Sequence, residues 1–354
     1  MWNAGEGLVN KRTIAAVPRF KFDLKNVDIG RIARIYFAFS VVFFVTQMSA
    51  IYIFGDGIKF SLTFISSVSS LFNAGTMGIV LVLIVVQALF KTLQLKASTL
   101  LAAGYLLCAQ VIFFSAFHAG KLLIPIPAGF WADPLFHQID LFLHGGRTAF
   151  AVYSQYLSPV IPDRLVVIYY FPVWVSIAYA FPIFVVVFEH DHQRSLRFLI
   201  LYAVAWILLG NILALAFASA GPIYFNHVTG LADFNFLIDF QQSHASVFGP
   251  VTDLQERLWR QHVEGVLGTG VSAFPSLHVA AATVPFLYFF DKWRWWALPL
   301  VLHPLLVQYG SVRTGFHYAV DGYFSILAMV LLHVALKRAF RLGSIPAVAA
   351  PALT

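Results

Sequence analysis

Three features of the sequence predict an all-α fold, namely a polytopic membrane helix bundle of about eight transmembrane helices. Hydrophobic residues make up 60% of the 354 residues and charged residues only 11%, a composition that excludes an ordinary soluble domain. Apolar stretches long enough to cross a bilayer recur along the chain. The period-two alternation of a transmembrane barrel is absent, so helices are the structure that satisfies the backbone in lipid.

The apolar stretches are each about one bilayer long, although the sixth and seventh are on the short side. They lie at residues 35–54, 75–93, 97–117, 165–188, 198–219, 276–290, 295–310 and 317–336. We expect one transmembrane domain at 31–341, preceded by a basic N-terminal segment at 1–30 and followed by a flexible tail at 342–354. The first apolar run starts too late and is too long for a cleavable signal peptide.

The basic residues are distributed unevenly between the two sides of the membrane that eight spans imply. With the N-terminus inside, sixteen of the 23 Lys and Arg residues fall on the cytoplasmic side and seven on the opposite side, as the positive-inside rule predicts. Both termini are therefore expected in the cytoplasm. The net charge of +7 is explained by this topology and by contact with anionic lipids. It does not indicate nucleic-acid binding, because the N-terminal segment lacks the aromatic and glycine pattern of an RNA-binding module.

Ionisable residues lie near the N-terminal ends of two apolar stretches. His278 lies in "PSLHVAAATVPF", and His317 and Asp321 lie in "TGFHYAVDGYF", with Arg313 just before them. Such residues are costly in a bilayer, so their default interpretation is functional. The predicted topology brings the N-terminal ends of the sixth and eighth spans to the same, non-cytoplasmic side. Pro275 suits the first turn of a helix, so His278 is expected in or near that turn.

Helical spacing places the other three residues together. Asp321 follows His317 by four residues, so both lie on one helical face, where the carboxylate can bind the second ring nitrogen. Arg313 precedes His317 by four residues. If the helix begins that early, one stripe presents all three side chains, although Gly315 weakens the case for that start.

Two histidines, an aspartate and an arginine at a membrane surface suit phosphoryl transfer through a phosphohistidine. One imidazole attacks phosphorus, the neighbouring aspartate fixes its tautomer, and the second imidazole protonates the departing oxygen. The arginine and the N–H groups at the helix end hold the phosphate oxygens. This scheme requires no metal and no cofactor.

Two motifs carry a resemblance to a known family. "PSLH" at 275–278 and "HYAVD" at 317–321 resemble the second and third signature motifs of the type 2 phosphatidic acid phosphatase superfamily. The leucine in "PSLH" is similar to the inositol phosphorylceramide synthase (inositolphosphotransferase) branch. "DPLFHQIDLFLHGG" at 133–146 and "ASAGPIYF" at 218–225 also look like stretches of that branch. The resemblance covers about residues 130–335.

The resemblance implies a role for individual residues. His317 would be the nucleophile, Asp321 its orienting partner and His278 the general acid. Ser276 would help to bind phosphate, and Arg313 is the candidate cation for the phosphate oxygens.

The sequence departs from the family pattern in two places. The first motif of the superfamily, a lysine and an arginine–proline pair, has no counterpart. The usual arginine, six residues before the nucleophile, falls on Ser311, so Arg313 would substitute from a different register.

These observations lead to one expected function and one alternative. We expect a membrane lipid phosphotransferase that moves a phosphoryl-bearing head group from a phospholipid donor to a lipid alcohol at the non-cytoplasmic face. The alternative is a lipid phosphate phosphatase that hydrolyses lipid mono- or pyrophosphates with the same residues. The catalytic core would comprise about six helices at about 97–338. The expected location is a bacterial inner (plasma) membrane, with no nucleic-acid partner; the oligomeric state is left open.

Two other function classes stay open. A metalloenzyme could use His278, His317 and Asp321 as a two-histidine, one-carboxylate triad, although membrane hydroxylases and desaturases of that kind need more histidines in paired spacings. A transporter could use the same residues for proton coupling. The clustering of the charges at one face argues against a transporter.

Other polar residues have simpler interpretations. Three histidines in or beside apolar stretches are interpreted as hydrogen-bonded packing residues: His118, His303 and His333. Three polar residues are expected in a wet loop, where solvated charge is the default: Asp133, His137 and Asp140. "EHDHQR" at 189–194 is interpreted as a solvated connector rather than a metal cluster.

Overall fold

A computed structural model describes residues 28–54, 97–264 and 270–343. Within these ranges the chain is helical and contains no strand, which confirms the predicted all-α class. The second predicted span, at 75–93, lies outside the described residues. So do most of the predicted basic N-terminal segment and the tail beyond residue 343.

The helices are α1 (Ile29–Phe54), α2 (Ala97–Lys121), α3 (Asp133–Leu143), α4 (Ala149–Tyr156), α5 (Asp163–Phe188), α6 (His192–Ala216), α7 (Phe225–Thr229), α8 (Asn235–Ser243), α9 (Ala245–Val263), α10 (Leu277–Trp293), α11 (Leu302–Arg313) and α12 (Ala319–Gly343). Short 3₁₀ segments at Pro222–Tyr224 and Arg294–Val301 lead into α7 and α11. Both α5 and α6 contain π-helical turns, at Tyr169–Val173 and Ala205–Leu213.

Among the described residues, five helices are long and apolar enough to cross a membrane, namely α1, α2, α5, α6 and α12. They match the first, third, fourth, fifth and eighth predicted spans. The sixth predicted span corresponds to α10, a helix of 17 residues. The seventh is not one continuous α-helix, because a 3₁₀ segment containing Pro299 fills its first part before α11 begins at Leu302.

The membrane bundle packs around α10. This helix contacts α5, α6, α11 and α12, while α1 packs along α2. Large aromatic side chains fill the space between the helices, and Phe113, Tyr170, Tyr202 and Tyr288 are each fully buried there. The first turn of α10, which carries His278, is therefore surrounded by other helices of the bundle.

A second core lies in a cap that is built from α3, α4 and α7 to α9. The cap core contains Phe136, Phe225, Phe234 and Phe274, and Tyr318 joins them from the loop before α12. The rings of Phe136 and Phe274 stack with their centroids 4.1 Å apart. These contacts fasten the cap to the two chain segments that carry the predicted site residues.

The end of α10 that lies away from the cap is surrounded by ion pairs. Glu189 is buried and pairs with Arg194 at 3.1 Å and with Lys292 at 3.2 Å. The Tyr288 hydroxyl donates a 2.8 Å hydrogen bond to the same carboxylate. Asp291 forms a second centre with cations from α6 and α12. The interpretation of "EHDHQR" as a solvated connector is thus wrong for Glu189, which holds helices together.

Candidate active site

The two predicted signature segments meet beneath the cap. The Ser276 N–H donates a 3.2 Å hydrogen bond to the carbonyl of Asp321, which links "PSLH" directly to "HYAVD". The Ile223 N–H donates to the carbonyl of Gly315 at 2.9 Å. The glycine–proline turn after α6, formed by Gly221 and Pro222, therefore belongs to the same junction.

Gly221 and Gly315 permit this close approach of the backbone. Gly221 has a φ of +100°, and a Cβ there would lie 2.4 Å from the carbonyl oxygen of Phe316. Gly315 has a φ of +74°, and its Cβ would lie 2.5 Å from the side chain of Leu237. Glycine adopts this left-handed region without the strain that a side chain brings. A larger residue at either position would displace the loop that leads to the candidate nucleophile.

His278, His317 and Asp321 form a line of side chains. Nε2 of His317 lies 3.4 Å from Nδ1 of His278, and Nδ1 of His317 lies 3.4 Å from Oδ2 of Asp321. Asp321 is fully buried, and its Oδ2 also accepts a 3.0 Å hydrogen bond from the Tyr318 N–H. Because a carboxylate beside Nδ1 favours a proton on that nitrogen, Nε2 keeps its lone pair and faces His278.

Two aromatic side chains of α5 hold His278. Its ring centroid lies 4.2 Å from that of Trp174 and 4.7 Å from that of Tyr170. The indole N–H of Trp174 also donates a 2.8 Å hydrogen bond to the His278 carbonyl. Tyr170 stands in a π-helical turn, an irregularity that is frequent at functional sites. These contacts fix the orientation of the imidazole against His317.

Ser276 is the N-cap of α10. Its hydroxyl accepts a 3.4 Å hydrogen bond from the Val279 N–H, and the side chain is completely buried. Pro275 precedes this cap, so the expectation that it occupies the first helical turn is wrong. His278 is the second residue of α10 and lies in the first turn as expected. The phosphate contact of Ser276 stays a prediction.

The expected single stripe of Arg313, His317 and Asp321 is not formed. The helix α11 ends at Arg313, the backbone turns at Gly315, and α12 begins only at Ala319. Spacing by four residues therefore does not place Arg313 beside His317, because no continuous helix joins them.

The guanidinium of Arg313 is held by side chains of the cap and of α5. Its Nε and Nη2 donate to the carboxylate of Asp163 at 2.7 and 3.0 Å, and its Nη1 donates to Ser154 at 2.7 Å. It also lies over the rings of Phe240 and Phe150, 4.0 and 4.9 Å from their centroids. The structure thus gives Arg313 the contacts of a partly buried ion pair with Asp163 and does not bring it to either histidine.

Asp133 at the start of α3 is completely buried rather than solvated. It accepts hydrogen bonds from the N–H groups of Ala220 and Gly221 at 2.7 and 2.8 Å, and from the Tyr318 hydroxyl at 2.8 Å. Burial raises the pKa of Asp133 to about 6, while the three donors oppose this rise. Asp133 therefore ties the glycine–proline turn to the residue that follows His317.

Asp140, seven residues further along α3, binds the start of α12. Its Oδ1 accepts a 3.0 Å hydrogen bond from the Val320 N–H, and a carboxylate is favourable at a helix N-terminus. Burial raises the pKa of Asp140. His137 between the two carboxylates is also buried, 3.5 Å from Asp233. The interpretation of these α3 residues as solvated charge is wrong, since α3 supports the candidate site.

A cavity of about 250 Å³ opens beside the two histidines. Its polar lining includes His278, His317 and Ser272, together with His118 and Lys121 from the end of α2. Its other walls come largely from the helices that could span a membrane. The aromatic and aliphatic residues lining it are Phe117, Trp174, Val175, Tyr179, Trp206 and Leu277.

A family model described as the PAP2 superfamily matches residues 136–335, which is more than half of the chain. The chain belongs to the PAP2 superfamily. Members of the PAP2 superfamily are phosphatases and phosphotransferases of phosphoesters. The match includes "PSLH" and "HYAVD" and confirms the resemblance at the level of the superfamily; the inositol phosphorylceramide synthase-like branch stays a prediction. Comparisons with curated proteins and with solved structures found no match.

Lys121 lies before the PAP2 match and was missed by the sequence analysis. It is the single Lys or Arg among the described residues that line the cavity, and its ammonium lies 5.4 Å from the ring centroid of Phe117. His118, interpreted above as a packing residue, lines the same cavity. A signal was available, because the spacing of three residues puts both on one helical face. Lys121 is also one of the few basic residues on the predicted non-cytoplasmic side.

The geometry of the PAP2 site does not favour a shared metal ion. Asp321 approaches the edge of the His317 ring that faces away from His278, so the three side chains do not converge on one point. Within the described parts of the chain, no group of three or more His, Cys, Asp or Glu residues is arranged to hold a metal ion. The metalloenzyme alternative therefore gains no support from the arrangement.

Proposed function

We propose that this PAP2 protein is an integral membrane lipid phosphotransferase that works through a phosphohistidine at His317. A phosphoryl-bearing head group would pass from a phospholipid donor to a lipid alcohol. One observation carries the proposal: the line from Asp321 through His317 to His278 borders a cavity with apolar walls, and Lys121 is the single Lys or Arg that lines it within the described part of the chain.

In the first half-reaction, His317 attacks the phosphorus atom of the donor. The lone pair of Nε2 forms the N–P bond while the bond from phosphorus to the lipid oxygen breaks. His278, whose Nδ1 lies 3.4 Å from that nitrogen, gives a proton to the departing oxygen. Asp321, 3.4 Å from Nδ1, stabilises the positive charge that develops on the ring. The lipid alcohol leaves, and the head-group phosphate stays on His317.

Lys121 supplies the positive charge that the phosphate oxygens require. Its position among the cavity-lining residues supports a charge-assisted hydrogen bond to these oxygens. Such a contact stabilises the charge that spreads over the oxygens in the transition state. In this proposal Lys121 takes the role that the sequence analysis gave to Arg313.

In the second half-reaction, His278 acts as a base toward the acceptor. It takes the proton of the acceptor hydroxyl, the new O–P bond forms, and the N–P bond to His317 breaks. The apolar lining by Trp174, Val175 and Tyr179 of α5 supports a lipid alcohol as acceptor. These residues belong to a candidate span, so an acceptor can approach from the bilayer while bulk water is excluded.

The test is a product analysis with the purified chain in liposomes. A phospholipid donor that is labelled in its head group is supplied together with diacylglycerol-like or ceramide-like acceptors. Donors with inositol and with other head groups are compared in parallel, because the leucine in "PSLH" resembles the inositolphosphotransferase branch. We expect a new labelled phospholipid to form faster than water-soluble phosphate. A His317→Ala variant should give neither product, and the wild-type activity should survive EDTA.

The same assay separates the two functions that share these residues. If hydrolysis dominates with every acceptor, and lipid monophosphates or pyrophosphates are the best substrates, the transferase proposal fails and the lipid phosphate phosphatase takes its place. If EDTA abolishes turnover and a divalent cation restores it, the phosphohistidine scheme itself fails.

A further inference from the structure

The two faces of α3 are reversed relative to those of a helix on a water-exposed surface. Such a helix buries its apolar stripe and exposes its polar residues. In α3 the charged residues Asp133 and Asp140 are buried, and so is His137 between them. The large side chains on its exposed side are Leu135, Phe142 and Leu143, which are 42%, 85% and 51% exposed. The apolar side of α3 is thus the side that faces away from the protein.

The exposed side of α3 forms a continuous apolar face. Leu135 and Phe142 are seven residues apart, which is about two helical turns, so they lie on one stripe. The structure describes the whole of α3, and among its exposed residues only Gln138 is polar and none is charged. An exposed apolar face of this kind marks contact with another protein or with a membrane.

The long cap helix α9 shows the ordinary arrangement. It buries the apolar residues Phe248 and Val251. Its exposed side carries four charged residues, namely Asp253, Glu256, Arg257 and Arg260. This side of the cap therefore suits water, whereas the side formed by α3 does not.

Both ends of α3 lie against helices that can span the bilayer. Just before α3 begins, the ring centroid of Trp131 lies 6.0 Å from that of Phe217, the residue that follows α6. Just after α3 ends, Nε2 of His144 lies 3.1 Å from the hydroxyl of Tyr323, near the start of α12. The helix α3 therefore lies across the cap-side ends of α6 and α12, at the level where these two spans would leave the membrane.

The apolar face of α3 continues the exposed surfaces of these two spans. From its cap-side end, α12 exposes large side chains at intervals of four residues, namely Tyr323, Leu327 and Leu331. Near its own cap-side end, α6 exposes Ile212 and Leu215. Exposed apolar side chains on a spanning helix face acyl chains, so a face that joins the ends of two such helices has lipid as its neighbour.

We propose that α3 is an interfacial helix whose exposed face lies among the acyl chains of the leaflet on the cap side. The apolar face of such a helix is buried about 5–10 Å into the boundary between head groups and acyl chains. The acyl chains, and not a charged head group, are the partner, because this face carries no charged residue.

The opposite face of α3 gives this contact a consequence for the site. Asp133 binds the Tyr318 hydroxyl and Asp140 binds the Val320 N–H, so α3 holds the chain that directly follows His317. The depth of α3 in the leaflet thereby fixes the height of the candidate nucleophile above the acyl chains. The proposal does not depend on the phosphotransfer chemistry, and its test requires no turnover.

The test measures the depth of single nitroxide labels on the full chain. In a Cys108→Ala background, Leu135→Cys and Phe142→Cys are spin-labelled in nanodiscs of phosphatidylcholine and phosphatidylglycerol. Power-saturation EPR compares collisions of each label with oxygen, which concentrates among acyl chains, and with a nickel chelate, which stays in water. Because Phe142 is 85% exposed, its replacement removes few contacts and leaves the fold intact.

Two further positions calibrate the measurement. Leu327→Cys is the lipid reference, because Leu327 is 58% exposed on α12. Asp253→Cys is the water reference, because Asp253 is exposed on α9. We expect the ratio of oxygen to nickel collisions at positions 135 and 142 to exceed the ratio at 253 severalfold and to approach that at 327.

Each outcome decides the proposal. Ratios that approach the lipid reference at both positions support it. A ratio equal to the water reference at either position overturns it. Low collision rates with both reagents also overturn it, because they show that protein covers the face. Spin–spin broadening would then identify a second copy of the chain as the cover, and its absence would identify another segment of the same chain.

Discussion

The carboxylate of Asp133 accepts a 2.8 Å hydrogen bond from the hydroxyl of Tyr318, the residue that follows His317. The same carboxylate holds the backbone of the glycine–proline turn, so a single buried group in the cap fixes the chain behind the candidate nucleophile. The position of the His317 imidazole is therefore determined from two sides: Asp321 contacts it from the start of α12, and Asp133 holds the adjacent residue from the cap.

The first prediction concerns the pH dependence of stability. The pKa of Asp133 is raised to about 6 in the folded chain, against about 3.9 for an unfolded aspartate. The folded state therefore holds this proton more tightly, and the free energy of unfolding should fall by about 3 kcal/mol in total as the pH rises from about 4 through about 6. Asp133→Asn should lack this fall. Unfolding in detergent across that range measures it.

The control for the Asp133 measurement is Asp239→Asn, because Asp239 is exposed in the cap. This variant should keep the wild-type slope. A wild-type slope in Asp133→Asn would show that Asp133 is not the group responsible.

The second prediction separates the acid from the nucleophile. His278→Ala should lower turnover of alkyl phosphoesters by about 10²–10⁴-fold, the usual contribution of general acid catalysis. The loss should be much smaller with a p-nitrophenyl phosphoester, whose leaving group needs no proton, whereas His317→Ala should be inactive with both. An equal loss of turnover with both leaving groups in His278→Ala would contradict the acid role.

The third prediction tests Lys121 as the phosphate-binding cation. Lys121→Met should lower kcat/KM by about 10- to 100-fold, as expected for one lost hydrogen bond to a charged group. It should weaken inhibition by vanadate in parallel, and Lys121→Arg should restore part of both. Normal vanadate affinity in Lys121→Met would assign the residue to packing against Phe117.

The fourth prediction concerns Arg313, whose partner is Asp163. Arg313→Met should lower the free energy of unfolding by about 3 kcal/mol, because it leaves a partly buried carboxylate unpaired. The double variant Arg313→Met, Asp163→Leu should recover much of this stability. Its KM for the phospholipid donor should equal that of the wild type, because Arg313 is not expected to contact the substrate. If the double variant is stable but has lost substrate affinity, Arg313 binds phosphate after all.

The fifth prediction tests the topology that the basic residues indicate. In a Cys108→Ala background, Asp253→Cys in the cap and His190→Cys at the other end of the bundle place thiols at exposed positions. An impermeant thiol reagent outside intact cells should label position 253 and spare position 190. The reverse pattern would put the cap in the cytoplasm.

The fold class and the candidate catalytic residues His278, His317 and Asp321 could be predicted from the sequence because both depend on local contrasts. Long apolar runs identify α1, α2, α5, α6 and α12 within several residues. An ionisable group at the front of such a run stands out, which is why His278, His317 and Asp321 were found before the structure brought them together.

The other site features depend on partners that no local pattern reveals. Asp133 and Asp140 bind backbone N–H groups that lie 87 and 180 residues away in the chain, so they could not be distinguished from solvated carboxylates. The expected stripe of Arg313 and His317 was wrong because a spacing of four residues was taken as one helix, whereas Gly315 with its positive φ stands between two; phosphate binding by Arg313 stays a prediction. Lys121 was overlooked because it lies far from the motifs in sequence.

The length of α10 has a consequence for where the chemistry takes place. Its 17 residues span about 25 Å, whereas the hydrocarbon core of a typical bilayer is about 30 Å thick. His278 stands at one end of this short helix, and the ion-paired Asp291 stands near the other. Because α10 is enclosed by α5, α6, α11 and α12 rather than by lipid, its short length does not have to match the bilayer. If the ion-paired end lies level with one surface of the hydrocarbon core, the turn with His278 falls about 5 Å short of the other surface. A phosphate must then enter the helix bundle to that depth to meet the imidazoles.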